Sequence, residues 1–329
     1  GVMLPVEENI SLPGLVGLAE SAESLGYEAV ICGEVSGPEV MVTLGMVAAR
    51  TEKILIGSGI IPTYTRSPVL SAMGFASLSS MAPGRVAAGF GASSPIVVEN
   101  WHGIGFSKPL TTTREFLIAF REVIGGEKVQ HSSGCFPING FRLGIDPAGR
   151  IKIWLAAIND QMLRLAGELA DGVFLAWCPP DEVPAKLEQV QEGAKLVGRS
   201  LDDLEVVVTY WGFAGEPSEA EKIREKARRA VLAYAMVPTH KRAFVESFSN
   251  LEEATLAWEA GDRRRALELT DDDAVDAMCA IGDEKAVAKR ALEYIDAGVD
   301  LPAFLTVTER GDTSLALETL RHTSAELRL

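Results

Sequence analysis

What the chain lacks narrows it first. Of its 329 residues only four are cysteine, Cys32, Cys135, Cys178 and Cys279, scattered without paired spacing. That excludes a disulfide scaffold and a Cys-x-x-Cys motif, and points to free thiols in a reducing, cytoplasmic compartment. The four histidines form neither an HExxH motif nor a Cys/His cluster, so no metal site is expected. Asp271 to Asp273 lacks the alternation of a calcium loop. Basic residues are outnumbered: 31 Lys and Arg against 46 Asp and Glu leave a net charge of −15. So acidic a chain has no basic face to offer nucleic acid or an anionic membrane, and neither partner is expected. No apolar run approaches the roughly 20 residues of a membrane span. The start, Gly1-Val2-Met3-Leu4-Pro5, is strand-like and has no basic stretch of a signal peptide. A Gly-x-Ser-x-Gly elbow is absent, so a serine hydrolase has no support.

What is present is a rhythm. With 47% hydrophobic residues the chain can bury a large core. Short apolar runs at 1–5, 28–32, 53–61, 86–90, 153–157, 172–176, 204–210 and 301–307 read as strands, several of them apolar on both faces. Helical patterns alternate with them. Leu15, Leu18, Ala19, Ala22 and Leu25 share one helix face, Ser11 stands as N-cap, and Gly26 closes the helix. Further helices are expected over 40–50, 69–81, 109–124, 161–170, 181–197, 218–234, 284–297 and 314–327. The alternation breaks twice. Residues 129–143, rich in Gly and Ser, read as an inserted hairpin. Residues 235–281 read as helical, with a capped start at Thr270 and Asp273 at N3. Eight strand–helix units predict an α/β chain, a (β/α)8 TIM barrel with insertions after strands 4 and 7 (about 125–150 and 235–282) in one domain, 1–329. A doubly wound open sheet is the alternative.

Barrel sites lie at the C-terminal ends of the strands. That singles out Glu34, residues 59–65, 91–95 and 157–161, Trp177-Cys178-Pro179, and Trp211. Glu34 is a carboxylate able to act as acid, base or anchor, or simply to be a solvated loop residue. Ile54-Leu55-Ile56 runs into Gly57-Ser58-Gly59 and is stopped by Pro62 and Pro68. A core strand thus ends in an irregular segment poor in side chains, either a plain turn or a backbone wall for a flat ligand. Gly89-Phe90-Gly91-Ala92-Ser93-Ser94 starts like a dinucleotide fingerprint, but the third glycine is missing and Pro95 stands where the helix should open. A loop offering backbone N–H groups remains. Asn159-Asp160-Gln161 joins a strand end to a helix start, where N–H groups can hold a phosphate or one of these side chains merely caps the helix. His102, alone in Trp101-His102-Gly103, is expected to be a loop residue.

Taken in order, these residues resemble a known family. The set comprises Glu34 with Gly37-Pro38, Ala48-Ala49-Arg50-Thr51-Glu52-Lys53-Ile54, Ile56-Gly57-Ser58-Gly59-Ile60 and Arg66-Ser67-Pro68. It continues with Pro83-Gly84-Arg85, Gly89-Phe90-Gly91-Ala92-Ser93 and Glu99-Asn100-Trp101-His102-Gly103. Ile153-Trp154-Leu155-Ala156-Ala157 and Ala166-Gly167-Glu168-Leu169-Ala170-Asp171-Gly172 complete it. The set is similar to the bacterial luciferase-like superfamily, in its branch of coenzyme F420-dependent oxidoreductases. The resemblance covers most of the chain, least of all 235–281. It implies a (β/α)8 barrel holding a flavin or deazaflavin at its C-terminal mouth, with a bulge in the third strand and a non-prolyl cis peptide at Gly59–Ile60. The cofactor contacts it suggests are Ser58, Gly59, Ile60, Pro62 and Thr63; Ala92, Ser93 and Ser94; Ala157, Asn159, Asp160 and Gln161; and Trp177. Glu34 is the catalytic candidate.

Two positions depart from the family pattern. Val35 follows Glu34 where many relatives carry His, and Ser94 stands where the sugar-phosphate dehydrogenases carry Glu, which argues against a glucose 6-phosphate type of substrate. The activity implied is hydride transfer between C5 of coenzyme F420 and a small organic substrate. The alternatives are an FMN-dependent two-component monooxygenase and a non-catalytic flavin-binding barrel. A sugar-processing barrel ranks last, since only Glu34 of the two carboxylates it needs is well placed. Phe244 and Phe248 of the second insertion are expected to shape the substrate pocket. A homodimer through the early helices is also expected.

Overall fold

Eight parallel strands pair in chain order and close on themselves. They are Val2–Met3, Ala29–Cys32, Leu55–Ser58, Val86–Gly91, Lys152–Ala156, Gly172–Ala176, Glu205–Ala214 and Leu301–Thr306. The first strand pairs the second through Val2↔Val30 and the eighth through Val2↔Phe304, so no edge is left and the open-sheet alternative falls. The computed structural model describes residues 1–131, 134–309 and 311–329; Ser132 and Ser133 of the expected hairpin lie outside the described residues. The described parts of that hairpin, Val129–His131 and Ile138–Phe141, pair antiparallel ahead of the fifth strand.

The third strand carries one residue too many. It pairs the fourth at Gly57↔Ala87 and again at Ile61↔Phe90, so four steps on one side face three on the other. The extra residue falls at the Gly59–Ile60 peptide, which is cis, as the resemblance implied. Ser58 Oγ clamps the bulge, donating to Gly89 O and accepting from Gly89 N, both at 2.8 Å.

Inside the barrel, Trp154 is wholly buried and fills the lower lumen. A Cβ at Gly57 would meet Trp154 Cζ3 at 2.6 Å, and one at Gly172 would meet Trp154 Cδ1 at 2.8 Å. Two glycines, Gly57 on the third strand and Gly172 paired with Trp154 on the sixth, therefore make room for one indole. Its Nε1 donates to Glu205 Oε2 at 2.9 Å, and Lys152 Nζ donates to the same carboxylate at 2.9 Å, so the buried N–H is satisfied. Above this level the lumen opens toward the C-terminal ends of the strands.

The second insertion is larger than expected. The helix that packs on the seventh and eighth strands is Ala286–Asp296, not 218–234. Its Tyr294 ring lies 5.1 Å from that of Tyr210, whose hydroxyl donates to Val287 O at 3.2 Å. Helix Pro217–Ala235 touches the seventh strand but not the eighth, and packs mainly with Pro238–Ser247, Ser249–Glu259, Arg263–Leu269 and Asp272–Met278. Phe213, Ile223, Val231, Phe244, Val275 and Met278 form a separate core there. The inserted unit therefore begins just after Ala214. Its end is not helical either: Cys279–Gly282 is a strand paired with Trp211–Ala214 of an unusually long seventh strand. Asp271, rather than Thr270, caps Asp272–Met278 by accepting from Ala274 N at 3.1 Å.

Two substitutions test this account. Gly57→Ala forces its Cβ against a rigid, buried indole and should cost about 1–3 kcal/mol, read as a lower urea midpoint. Glu23 accepts from the N–H groups of Glu52, Lys53 and Ile54 at 2.9, 2.7 and 2.9 Å and so fixes the entry to the third strand. Burial pushes its carboxyl up, but those backbone donors and Arg85 outweigh it and hold the group below the ordinary carboxylate range. A lowered folded value means stabilisation that is present above the unfolded pKa of about 4.3 and lost as pH falls through the folded one. Glu23→Gln should therefore cost about 1 kcal/mol at pH 7, solvent screening included, and the gap from wild type should close below about pH 4.3.

Candidate active site

One cavity of about 560 Å³ occupies the mouth of the barrel. Its walls differ in kind. The ends of the third to fifth strands give Gly59, Ile60, Gly91, Ala92, Ser93, Ala156 and Ala157, backbone or short side chains apart from Ile60, and the segments beyond them add Val97, Phe106, Pro109, Ile158, Asn159 and Met162. From the sixth and seventh strands, the first strand's loop and the inserted unit come Trp177, Trp211, Tyr234, His240, Glu7, Glu8 and Lys226. Glu34 reaches the cavity from the end of the second strand.

Of the expected contacts, the structure brings Gly59, Ile60, Ala92, Ser93, Ala157, Asn159, Trp177 and Glu34 together around this space. It leaves the others behind the wall. Ser58 is fully buried and spent on Gly89. Pro62 pairs with Gly91, and Thr63 is buried with its Oγ1 3.4 Å from Thr113 Oγ1. Ser94 is buried and accepts from Val97 N at 3.4 Å. Asp160 and Gln161 have exposed side chains outside the lining. His102 is exposed and stands apart from the cavity, as expected.

The capping alternative for the helix Asp160–Leu169 is not realised. Asn159 makes no side-chain cap, and among the described residues no acceptor is recorded for the N–H groups of Asp160 and Gln161. A helix start of this kind, at the rim of the cavity, is suited to an anion.

The charged groups are mostly committed. Arg66 bonds both oxygens of Glu34 at 3.3 Å and also bonds Glu39. Lys226 bonds Glu8 and donates to Thr308 O at 2.7 Å. Glu7 accepts from Ser36 Oγ at 3.2 Å. Crowding by the surrounding protein raises the Glu7 carboxyl above its ordinary value, the Ser36 bond opposing and Glu8 adding to the rise. Burial lowers His240 to about 4, so its imidazole is neutral at pH 7, with Nδ1 3.0 Å from Thr239 Oγ1. Burial pushes the Cys178 thiol, behind the aromatic wall, up to about 12, which leaves it no thiolate character.

Aromatic rings form the wall opposite the bulge. Trp177 lies 4.5 Å from Tyr234, 5.5 Å from Trp211 and 5.8 Å from Phe244 between centroids. Phe244 and Phe248 thus support the wall from the inserted unit's own core and do not line the cavity. Glu7 and Glu8 follow the first strand, so the strand-end rule that found Glu34 would have found them too. Tyr234 and His240 carry no such signal, because only the packing of the inserted unit brings them to the mouth.

The sequence profile of the luciferase-like monooxygenase family matches residues 2–301. A 5,10-methylenetetrahydromethanopterin reductase of Methanolobus tindarius is 31% identical over 214 residues, 65% of this chain and 64% of that protein. This chain therefore spans just under two thirds of that relative. The reductase of the same name from Methanopyrus kandleri is 28% identical over 320 residues, 90% of this chain and 89% of that one. The solved structure of the coenzyme F420 dependent tetrahydromethanopterin reductase from Methanopyrus kandleri superposes with a TM-score of 0.82 at 22% identity, over 100% of this chain and 97% of that chain. At that identity the likeness speaks for the fold, the same closed barrel. With the family profile running from the first strand to the eighth, the chain belongs to the luciferase-like monooxygenase family.

Proposed function

We propose that this chain transfers a hydride between C5 of coenzyme F420 and a small organic substrate. The observation that carries the reading is the asymmetry of the cavity: the ends of the third to fifth strands, poor in side chains, face a wall of aromatic and titratable groups. The first suits close approach of a flat ring to backbone, the second recognition of a substrate. The similarity to reductases that use coenzyme F420 supports the choice of cofactor. When bound, F420 supplies or accepts the hydride at C5, and the protein contributes binding and orientation.

Gly59, Ile60, Ala92, Ser93 and Ala157 would hold the ring, with Trp177 at its border. The uncapped start of Asp160–Leu169, with Asn159, would receive the phosphate-bearing tail. Ser58, Pro62, Thr63 and Ser94 act one layer back, keeping the bulge and the loop after the fourth strand in place. Glu34, held in position by Arg66, is assigned the proton that accompanies the hydride. The domain is a single unit of 329 residues acting in the cytoplasm. Its partner is a second copy, docked on Val42 and Met46 of helix Val40–Arg50 and Leu70 and Met73 of the adjacent Pro68–Met81, which are 56, 37, 50 and 45% exposed. Light scattering should give twice the chain mass, falling to one in Val42→Glu with Met73→Glu; a monomeric wild type refutes the dimer.

Spectral titration tests the cofactor. F420 should bind more tightly than FMN, and the F420-loaded protein should exchange hydride with some member of a panel of carbonyl, imine and alcohol compounds. Glu34→Gln should keep F420 affinity within about twofold and slow turnover by about tenfold or more. Tighter binding of FMN would move the protein to the two-component monooxygenases. Binding of F420 without exchange across the panel would leave a non-catalytic barrel.

A further inference from the structure

Part of the wall opposite the bulge is carried by the inserted unit, and its reach depends on how that unit is seated. Helix Pro217–Ala235 rises from the end of the seventh strand, and Tyr234 stands near its far end, about 26 Å from Pro217. At that lever arm a tilt of about 5° at the base carries the Tyr234 ring through about 2 Å. Thr239 and His240 follow in the next helix and move with it. Two arginines of the long helix are spent inside the unit: Arg224 bonds Asp276 and Ile281 O, and Arg228 bonds Thr270 O, Asp272 and Glu225. Lys222 reaches Glu309 only at 3.9 Å, with both side chains more than half exposed, a pair of little worth. Lys226 is different. Among the described residues it is the one cation of this helix that hydrogen-bonds the loops of the barrel, through the Glu8 carboxylate and through Thr308 O at 2.7 Å.

The receptor for that ammonium is itself braced. Gly311 N donates to Glu8 O at 2.6 Å, which bonds the loops after the first and eighth strands to each other, and Thr308 Oγ1 donates to Asp312 O at 2.6 Å. The Lys226 and Glu8 side chains are 35 and 15% exposed, so the pair is partly withdrawn from water and is screened less than a surface pair. Lys226 and Tyr234 both line the cavity, about two helical turns apart. The other hold on Tyr234 is its ring contact with Trp177, 4.5 Å between centroids. Apolar contact is non-directional and permits sliding, whereas an ammonium held by oxygens from two loops does not. We propose that Lys226 is a positioning residue: seated on Glu8 and the Thr308 carbonyl, it sets the gap between the Tyr234 ring and the barrel wall. The proposal rests on the reading that the barrel wall holds F420, whose ring then measures that gap.

The fluorescence lifetime of bound F420 tests it, because an excited deazaflavin is quenched by an electron-rich ring in near contact. All lifetimes are taken at saturating F420. Tyr234→Phe should lengthen the lifetime by about twofold or more, which identifies that ring as a quencher. Lys226→Met, which keeps the length of the side chain and loses the ammonium, should lengthen it by a similar factor. Lys226→Arg, which keeps the charge and the donors, should restore about half or more of the difference. When Lys226→Met is combined with Tyr234→Phe the two effects should not add, since both act on one contact. Glu8→Ala removes the same bond from the barrel side and should lengthen the lifetime as Lys226→Met does, so a failure of either variant to fold leaves the other to decide. A wild-type lifetime in Lys226→Met or Glu8→Ala, additive effects in the double variant, or no effect of Tyr234→Phe overturns the positioning role while F420 binding stands. Failure of the wild type to bind F420 removes both readings.

Discussion

The contact of Trp154 with Gly57 and Gly172 sets the geometry of everything above it. A barrel of eight strands has an interior just wide enough for side chains to fill. Here one indole packs with Phe174 at 6.3 Å, with Ile31, Val207 and Leu301, and with the small Ala29, Ala87 and Ala303. The indole needs bare backbone on strands to either side of its own, and its N–H needs Glu205. With the lower lumen solid, the usable space is confined to the mouth, where the third strand bulges and its neighbours end in short side chains.

Around that mouth the labour is divided by origin. Barrel residues supply the wall that has little chemistry of its own, held by main-chain pairing and by the Ser58–Gly89 clamp. The inserted unit, resting on a separate hydrophobic core, supplies Tyr234, His240 and Lys226. Lys226, bonding both Glu8 and the Thr308 carbonyl, ties that unit to the loops after the first and eighth strands. The division follows from packing. A closed sheet can vary little without losing register, whereas helices over a local core can change their facing residues at low cost.

How much of this could be read in the sequence depended on the range of the contacts involved. The eight strands were legible because apolar runs such as Ile54-Leu55-Ile56 leave no polar face. Glu34, Ala92 and Asn159 were legible because strand ends converge in a barrel. The glycines were legible only in part. Gly57 announces a close approach, but the approaching group is the protein's own indole, nearly a hundred residues on. Gly89 answers to the Ser58 carbonyl, which a Cβ there would meet at 2.0 Å. The identity of the seventh barrel helix was not legible: 217–235 and 286–296 both read as helices and both touch the seventh strand, and only packing on the eighth strand as well, with the Tyr294–Tyr210 ring contact, marks 286–296 as the barrel helix. His240 was hidden for the same reason.

The pairing of Trp211–Ala214 with Cys279–Gly282 has a bearing on how such a chain diversifies. The inserted unit leaves the barrel and returns to it on adjacent strands, and Gly215 N donates to Gly282 O at 3.2 Å. Entry and exit are thus stitched together by main-chain bonds that involve none of the helices between them. Loop-closure entropy depends only weakly on length once the ends are joined, so the segment between can grow, shrink or be replaced with little strain on the sheet. The seventh strand is then a socket, and the helical unit a cassette that evolution or an engineer can exchange to give the same cofactor mouth a different clientele.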